Sequence, residues 1–209
     1  GNYNVVVGDE AGTALTTGDN NVAVGYLSGD ALTTSSSNVA IGTQALSVDT
    51  LGSLSTAVGY SALENQNFTT ATDSHNTAVG FKAGHEVTTG VQNTLIGSLA
   101  GDALSVGNKN IAIGYRSLSD DTKGNKNVAV GNFSLSAQNF TTATDVFNVA
   151  VGHGAGEVVT TGVGNTLIGG LAGDALTDAD FNVAIGKNAL STDTLGSFST
   201  AVGINALET

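Results

Sequence analysis

Apolar positions in this chain come in clusters of three, and each cluster closes on a glycine. The first block is Asn4-Val5-Val6-Val7-Gly8 and the last is Ser199-Thr200-Ala201-Val202-Gly203. Twelve such blocks follow one another, their closing glycines 17 residues apart except at two steps of 21. A fixed short period marks a repeat architecture, in which each unit buries its apolar surface against the next. The residue before the glycine is Val or Ile in all twelve blocks, and the first of the three is Val, Ile or Thr throughout. These β-branched types fit a pleated strand and disfavour helix. The pattern predicts an all-β fold, a parallel β-solenoid or β-roll of twelve coils of about 17 residues. At the strand spacing of roughly 4.8 Å such a rod is about 58 Å long. Residues 1–209 read as a single solenoid domain, with no break in composition.

Strand alternation puts Val22 and Val24 on one face and Ala23 on the other. The middle residue is Ala in nine of the twelve blocks, so one face is kept small. A solenoid needs only its inward face to be apolar. The expectation is therefore that the alanine face lies outside, where small side chains let a second copy of the chain approach. The closing glycine is expected to turn the chain with φ > 0. Asn opens ten blocks, and Ser55 and Ser199 open the other two. Asn suits turns and can stack into amide ladders.

Four residues after each closing glycine stands Gly or Leu, in ordered pairs: Gly12 and Gly29, then Leu46 and Leu63, then Gly84 and Gly101, and so on. Coils thus form sets of four, 72 residues long. The glycine coils carry a later apolar residue, such as Leu32 or Leu104, as if filling the same interior volume by another route.

Charge narrows the function. The net charge is −12 with six basic residues, which argues against nucleic acid and against anionic membranes as partners. Cysteine is absent, so neither disulfides nor thiolate metal sites can form. No catalytic or phosphate-binding signature occurs, and no cofactor or metal is expected. Asp120-Asp121 and Asp178/Asp180 read as solvated turns, and His75, His85 and His153 as surface side chains that form no ligand set. No secretory peptide or membrane-inserting span is visible. The chain starts without Met and both termini fall within a coil, so it reads as a segment of a longer fibre.

The two 21-residue steps hold the same insert, Gln66 to Asp73 and Gln138 to Asp145. Insertions in repeat proteins map to loops, often on the binding face. Candidate contact residues are Asn67, Phe68, Thr69, Asn139, Phe140 and Thr141, where an exposed ring could stack on a sugar. The alternative is that both Phe rings fold back over an open coil edge.

Asn-Val-Ala-Ile-Gly-x-x-Ala, as in Asn38 to Ala45 and Asn182 to Ala189, resembles the head repeats of trimeric autotransporter adhesins. Asn76 to Gly84 is similar to the related repeats of phage and bacterial tail-fibre and surface-fibre proteins. The resemblance implies a left-handed β-roll, a homotrimer, and an extracellular place on a virion tail fibre or a bacterial cell surface. It also implies a structural or adhesive role, with a cell-surface glycan or receptor as possible partner, and no enzymatic activity. Two other classes are an ice- or glycan-binding solenoid with a Thr-rich face (Thr33-Thr34, Thr88-Thr89, Thr160-Thr161) and a β-helical enzyme that cleaves polysaccharides.

Overall fold

Each apolar block forms a three-residue strand, from Val5–Val7 to Thr200–Val202, in a computed structural model that describes residues 1–208. The twelve strands lie side by side, all parallel, in one sheet that follows chain order. Register advances by one coil at each step: Val22 pairs with Val39, and across the longer spacing Thr56 pairs with Thr77. The chain is therefore a parallel β-solenoid of about twelve coils of roughly 17 residues. No helix occurs among the described residues, so none is long and apolar enough to cross a membrane.

The strand faces are the reverse of the expectation. Ala23, Ala40, Ala57 and Ala78 are fully buried inside the coils, and the β-branched residues face out. Ile41, Val79, Ile96 and Ile185 remain 37–39% exposed. The reason is the width of the coil. Leu46, Leu63, Leu118 and Leu135 reach across the interior and are completely buried. A strand side chain pointing inward then has room for little more than a methyl group. Alternation tells which residues share a face; it does not tell which face is inside.

The Gly/Leu pairs do fill one interior volume in two ways. Where Gly29 replaces leucine, Leu32 fills the space, and a Cβ on Gly29 would lie 2.9 Å from Leu32 Cδ1. Where Gly84 and Gly101 stack, the strand centre becomes Leu95, whose methyls would lie 2.6 and 2.8 Å from added Cβ atoms. Leu167 does the same between Gly156 and Gly173, at 2.7 Å from each. Close packing of this kind leaves no slack for an extra carbon.

Inside one corner of the coils runs a ladder of buried asparagines, interrupted by serine at Ser55 and Ser199. Asn93 Oδ1 accepts the Asn110 N–H at 2.9 Å, and Asn93 Nδ2 donates to the Gly107 carbonyl at 2.9 Å. The same pair of bonds repeats at Asn21, Asn38 and Asn165. These side chains thus serve as buried donors and acceptors between coils, satisfying backbone groups at a turn that has no sheet partner.

Each coil also turns through three left-handed corners, most of them occupied by residues other than glycine. Lys109, Lys126 and Phe181 all have φ of 56–62°. That conformation costs roughly 1–2 kcal/mol for an L-residue. It is held by bonds between coils: Lys109 donates to Val91, Lys126 to Asn108 and Phe181 to Val163 in the coil before, at 2.9–3.0 Å, and the leucine corners donate to the coil after, as Leu46 does to Ala62 at 3.0 Å.

The closing glycines are more restrictive. Gly97 has φ +129°, and a Cβ there would lie 2.5 Å from the Gly114 carbonyl oxygen of the next coil. Neither atom can move without breaking the ladder. Gly97→Ala is expected to destabilise the chain by at least ~2 kcal/mol. Gly170→Ala, where the nearest atom is 3.9 Å from the added carbon, should stay within ~0.5 kcal/mol of the parent. Urea unfolding followed by circular dichroism measures both, and equal losses would refute this account of the glycine column.

Candidate functional site

The two inserts are where the coil geometry changes. Both are organised by a buried aspartate in the coil before. Asp49 Oδ1 accepts the N–H groups of Gly52 and Phe68 at 3.0 and 3.1 Å, and its Oδ2 accepts Gln66 Nε2 at 2.6 Å. Asp121 makes the same three bonds with Gly124, Phe140 and Gln138. Gln66 and Gln138 Oε1 then accept from the Nδ2 groups of Asn76 and Asn148 at 2.8 and 2.9 Å. The asparagine ladder is thereby carried past the insert. Gly52 and Gly124 are required beside these carboxylates, since a Cβ would come within 2.1 Å of Oδ2 in each case. Asp121 is thus no solvated turn; it is fully buried, as is Asp49.

This geometry decides the fate of the candidate contact residues. Phe68 and Phe140 are buried, 6% and 8% exposed, and cover the coil edge. Neither offers a ring for a sugar to stack on. Asn67 is half-buried and its N–H donates to the Thr88 carbonyl at 2.9 Å; Asn139 is exposed and its N–H donates to Thr160 at 3.0 Å. Thr69 and Thr141 are exposed. The inserts do not bring these six residues to one site, because the two loops are four coils apart.

The threonines of the Thr-rich reading are partly committed to the fold. The hydroxyls of Thr33, Thr88 and Thr160 donate to carbonyls of the next coil at 3.0–3.2 Å. A side chain spent this way is not free to organise a flat hydroxyl array.

The inserts instead frame a groove. After its Phe, each insert returns through a two-residue strand: Thr72–Asp73 pairs with Gly52–Ser53, and Thr144–Asp145 pairs with Gly124–Asn125. Between these ridges lies an open groove of about 480 Å³. Asp73 and Asp145 stand at its two ends, about 19 Å apart at four strand spacings. Its floor is formed by Val91, Asn108 and Asn125, and its edge by Gln92, Lys109 and Lys126. The floor is rigid: Asn125 Oδ1 accepts the Asn108 N–H and Asn108 Oδ1 accepts the Val91 N–H, both at 2.8 Å. Lys126 is held by Asp145 at 2.5 Å and lies 4.8 Å from the centre of the Phe147 ring. Lys126 and Lys109 hold the exposed Asp145 carboxyl below its ordinary value, the Lys126 hydrogen bond contributing most. Among the described residues, no group of His, Asp and Glu side chains could hold a metal ion.

Sequence reasoning directed attention to the inserts and missed this groove. The signal it had was the placement of cations: Lys109, Arg116, Lys123 and Lys126 are four of only six basic residues, all within two coils. Comparisons with protein-family models, characterised proteins and solved structures return no match.

Burial pushes the Asp49 and Asp121 carboxyls above the ordinary 3.8, against the lowering effect of their hydrogen bonds. A carboxyl raised in the folded state binds its proton more tightly there than in the unfolded chain. Its ionised form therefore costs stability at neutral pH, and that cost is relieved as pH falls through the folded pKa. Asp30, Asp102 and Asp174 are raised by burial too. The thermal midpoint is expected to rise as pH falls from neutral toward the carboxylate range, and to rise less in an Asp49→Asn/Asp121→Asn chain. A midpoint that drops over that range in both proteins contradicts the assignment.

Proposed function

We propose that this chain is a structural segment of an extracellular fibre, acting as a stiff spacer that assembles side by side with copies of itself. The observation that carries this reading is the outward column Val7, Val24, Ile41, Val58, Val79, Ile96, Ile113, Val130, Val151, Ile168, Ile185 and Val202. Twelve coils pass without one polar residue in it. Aromatic side chains widen the strip: Tyr60 stacks on Phe81 at 5.4 Å, and Tyr115 meets Phe133 edge-on at 5.3 Å. Solvent-facing apolar surface of this extent marks an association face. A homotrimer, with three such strips meeting on one axis, is the form we favour, in keeping with the resemblance to adhesin heads and tail fibres. The partner face is thus the β-branched one and not the alanine one.

The mechanism is mechanical. A continuous parallel ladder transmits load along the axis, and the absence of proline leaves the ladder uninterrupted. The net charge of −12 keeps assembled rods apart in solution. A place on a virion or bacterial surface fits these properties.

Light scattering on the purified chain is expected to give a trimer, and a clean monomer at micromolar concentration overturns the assembly reading. Ile96→Lys/Ile113→Lys should dissociate the trimer while leaving the circular dichroism spectrum unchanged, because both side chains point outward from the sheet.

A further inference from the structure

We propose that the groove between Asp73 and Asp145 binds an acidic saccharide, a short sugar chain carrying carboxylate or sulfate groups. The inference deepens the fibre reading by giving it a ligand, but it rests on the groove itself and not on the oligomeric state.

The first observation is electrostatic. On a chain of net charge −12, cations are scarce, and four of the six, Lys109, Arg116, Lys123 and Lys126, fall within two coils, with Lys109 and Lys126 lining the groove. Lys126 is neutralised by Asp145, whereas among the described residues Lys109 has no carboxylate within ion-pair distance. Lys109 is exposed on the groove edge beside the exposed Gln92 amide, which makes no hydrogen bond through its side chain. An ammonium, a free amide and the Asp73 carboxylate therefore follow one another along the groove. This set pairs with an anionic group, donates to and accepts from hydroxyls, and caps the chain at its far end. Phe147, 55% exposed, lies outside the groove lining and supports Lys126, whose ammonium sits 4.8 Å from the ring centre.

The second observation excludes the main rival, an extended peptide. Peptides in such grooves are gripped by backbone hydrogen bonds to an open strand edge. Here the floor N–H groups of Val91 and Asn108 are already taken by the side chains of Asn108 and Asn125. Beyond Val91 the floor offers only the short polar side chains of Asn108 and Asn125, which are poor partners for the apolar side chains of a peptide. A saccharide needs only the side-chain partners that remain. The separation of the two aspartates, about 19 Å, removes a shared cation as an alternative occupant.

The groove is also preorganised. Its ridges are strands pinned by buried Asp49 and Asp121, and its edge residues Gln92, Lys109 and Lys126 are fixed left-handed corners with φ of 60–62°. Little ordering remains to oppose binding.

The test uses the whole chain and isothermal titration calorimetry with three tetrasaccharide probes: a uronate, its methyl ester, and a sulfated neutral sugar. Binding is expected for at least one acidic probe and to weaken at least about tenfold in the ester. If the uronate alone binds, the ligand charge is carboxylate; if the sulfated sugar alone binds, it is sulfate. Lys109→Met should lower affinity at least about tenfold with the thermal midpoint unchanged, and Lys187→Met, exposed on a distant coil, should not change it. Equal binding of acid and ester overturns the proposal, as does the absence of binding by both acidic probes at millimolar concentration. Tighter binding of a tetraglutamate peptide assigns the groove to a peptide and also overturns it. None of these outcomes depends on whether light scattering finds a trimer.

Discussion

The structure depends on one constraint: hydrogen bonds between coils must remain in register. Backbone N–H groups reach coils on both sides: Val39 donates to Ser55 and Leu46 to Ala62 in the following coil, and Gly42 donates to Val24 and Lys109 to Val91 in the preceding one. A coil by itself has almost no backbone partners of its own. Its corners, its closing glycine and its asparagine are all conformations that an isolated 17-residue segment would not keep. Neighbour-to-neighbour coupling of this kind makes the stability of the rod a sum over interfaces. It also explains why residue type repeats down the interior columns, the closing glycine, the buried alanine and the asparagine, where each residue packs on the one a coil above and a coil below.

That constraint also gives the four-coil set a physical account. Seven residues after the closing glycine, the chain reads Leu15, Leu32, Asp49, Gln66, Val87, Leu104, Asp121 and Gln138. Leu32, Val87 and Leu104 fill core that the neighbouring glycines leave open, while Asp49–Gln66 and Asp121–Gln138 are buried polar pairs. A buried carboxylate needs donors within reach or it becomes strongly destabilising. The glutamine in the next coil supplies one, and the insert supplies another through its Phe N–H. Two apolar coils, then two polar coils, then an insert: each part is needed to satisfy the one before it.

Much of this was legible in the sequence, and the limits have physical causes. The period, the strands and the left-handed turn at glycine follow from residue type and spacing alone. Alternation has no sign, so it leaves open which face is inside, and only the reach of Leu46 and Leu63 across the coil places the alanines inward. Asparagine suits both turns and ladders, and the structure shows the ladder, built from side chain to backbone. The Phe residues of the inserts suit contact or cover, and burial of Phe68 and Phe140 shows cover. The groove could not be read because it joins Asp73 to Asp145, residues that only stacking brings onto one line.

The left-handed corners have a consequence for how such a rod can change over time. The column Ser37, Leu54, His75, Gln92, Lys109, Lys126 and Phe147 holds six kinds of side chain in one backbone shape, with φ between 51 and 63° throughout. Because the ladder sets the conformation, the side chain is nearly free of it. Folding and surface identity are written in separate columns of the same sequence. Lineages carrying this rod can therefore rewrite what they show to the outside, one corner at a time, without passing through an unfolded ancestor.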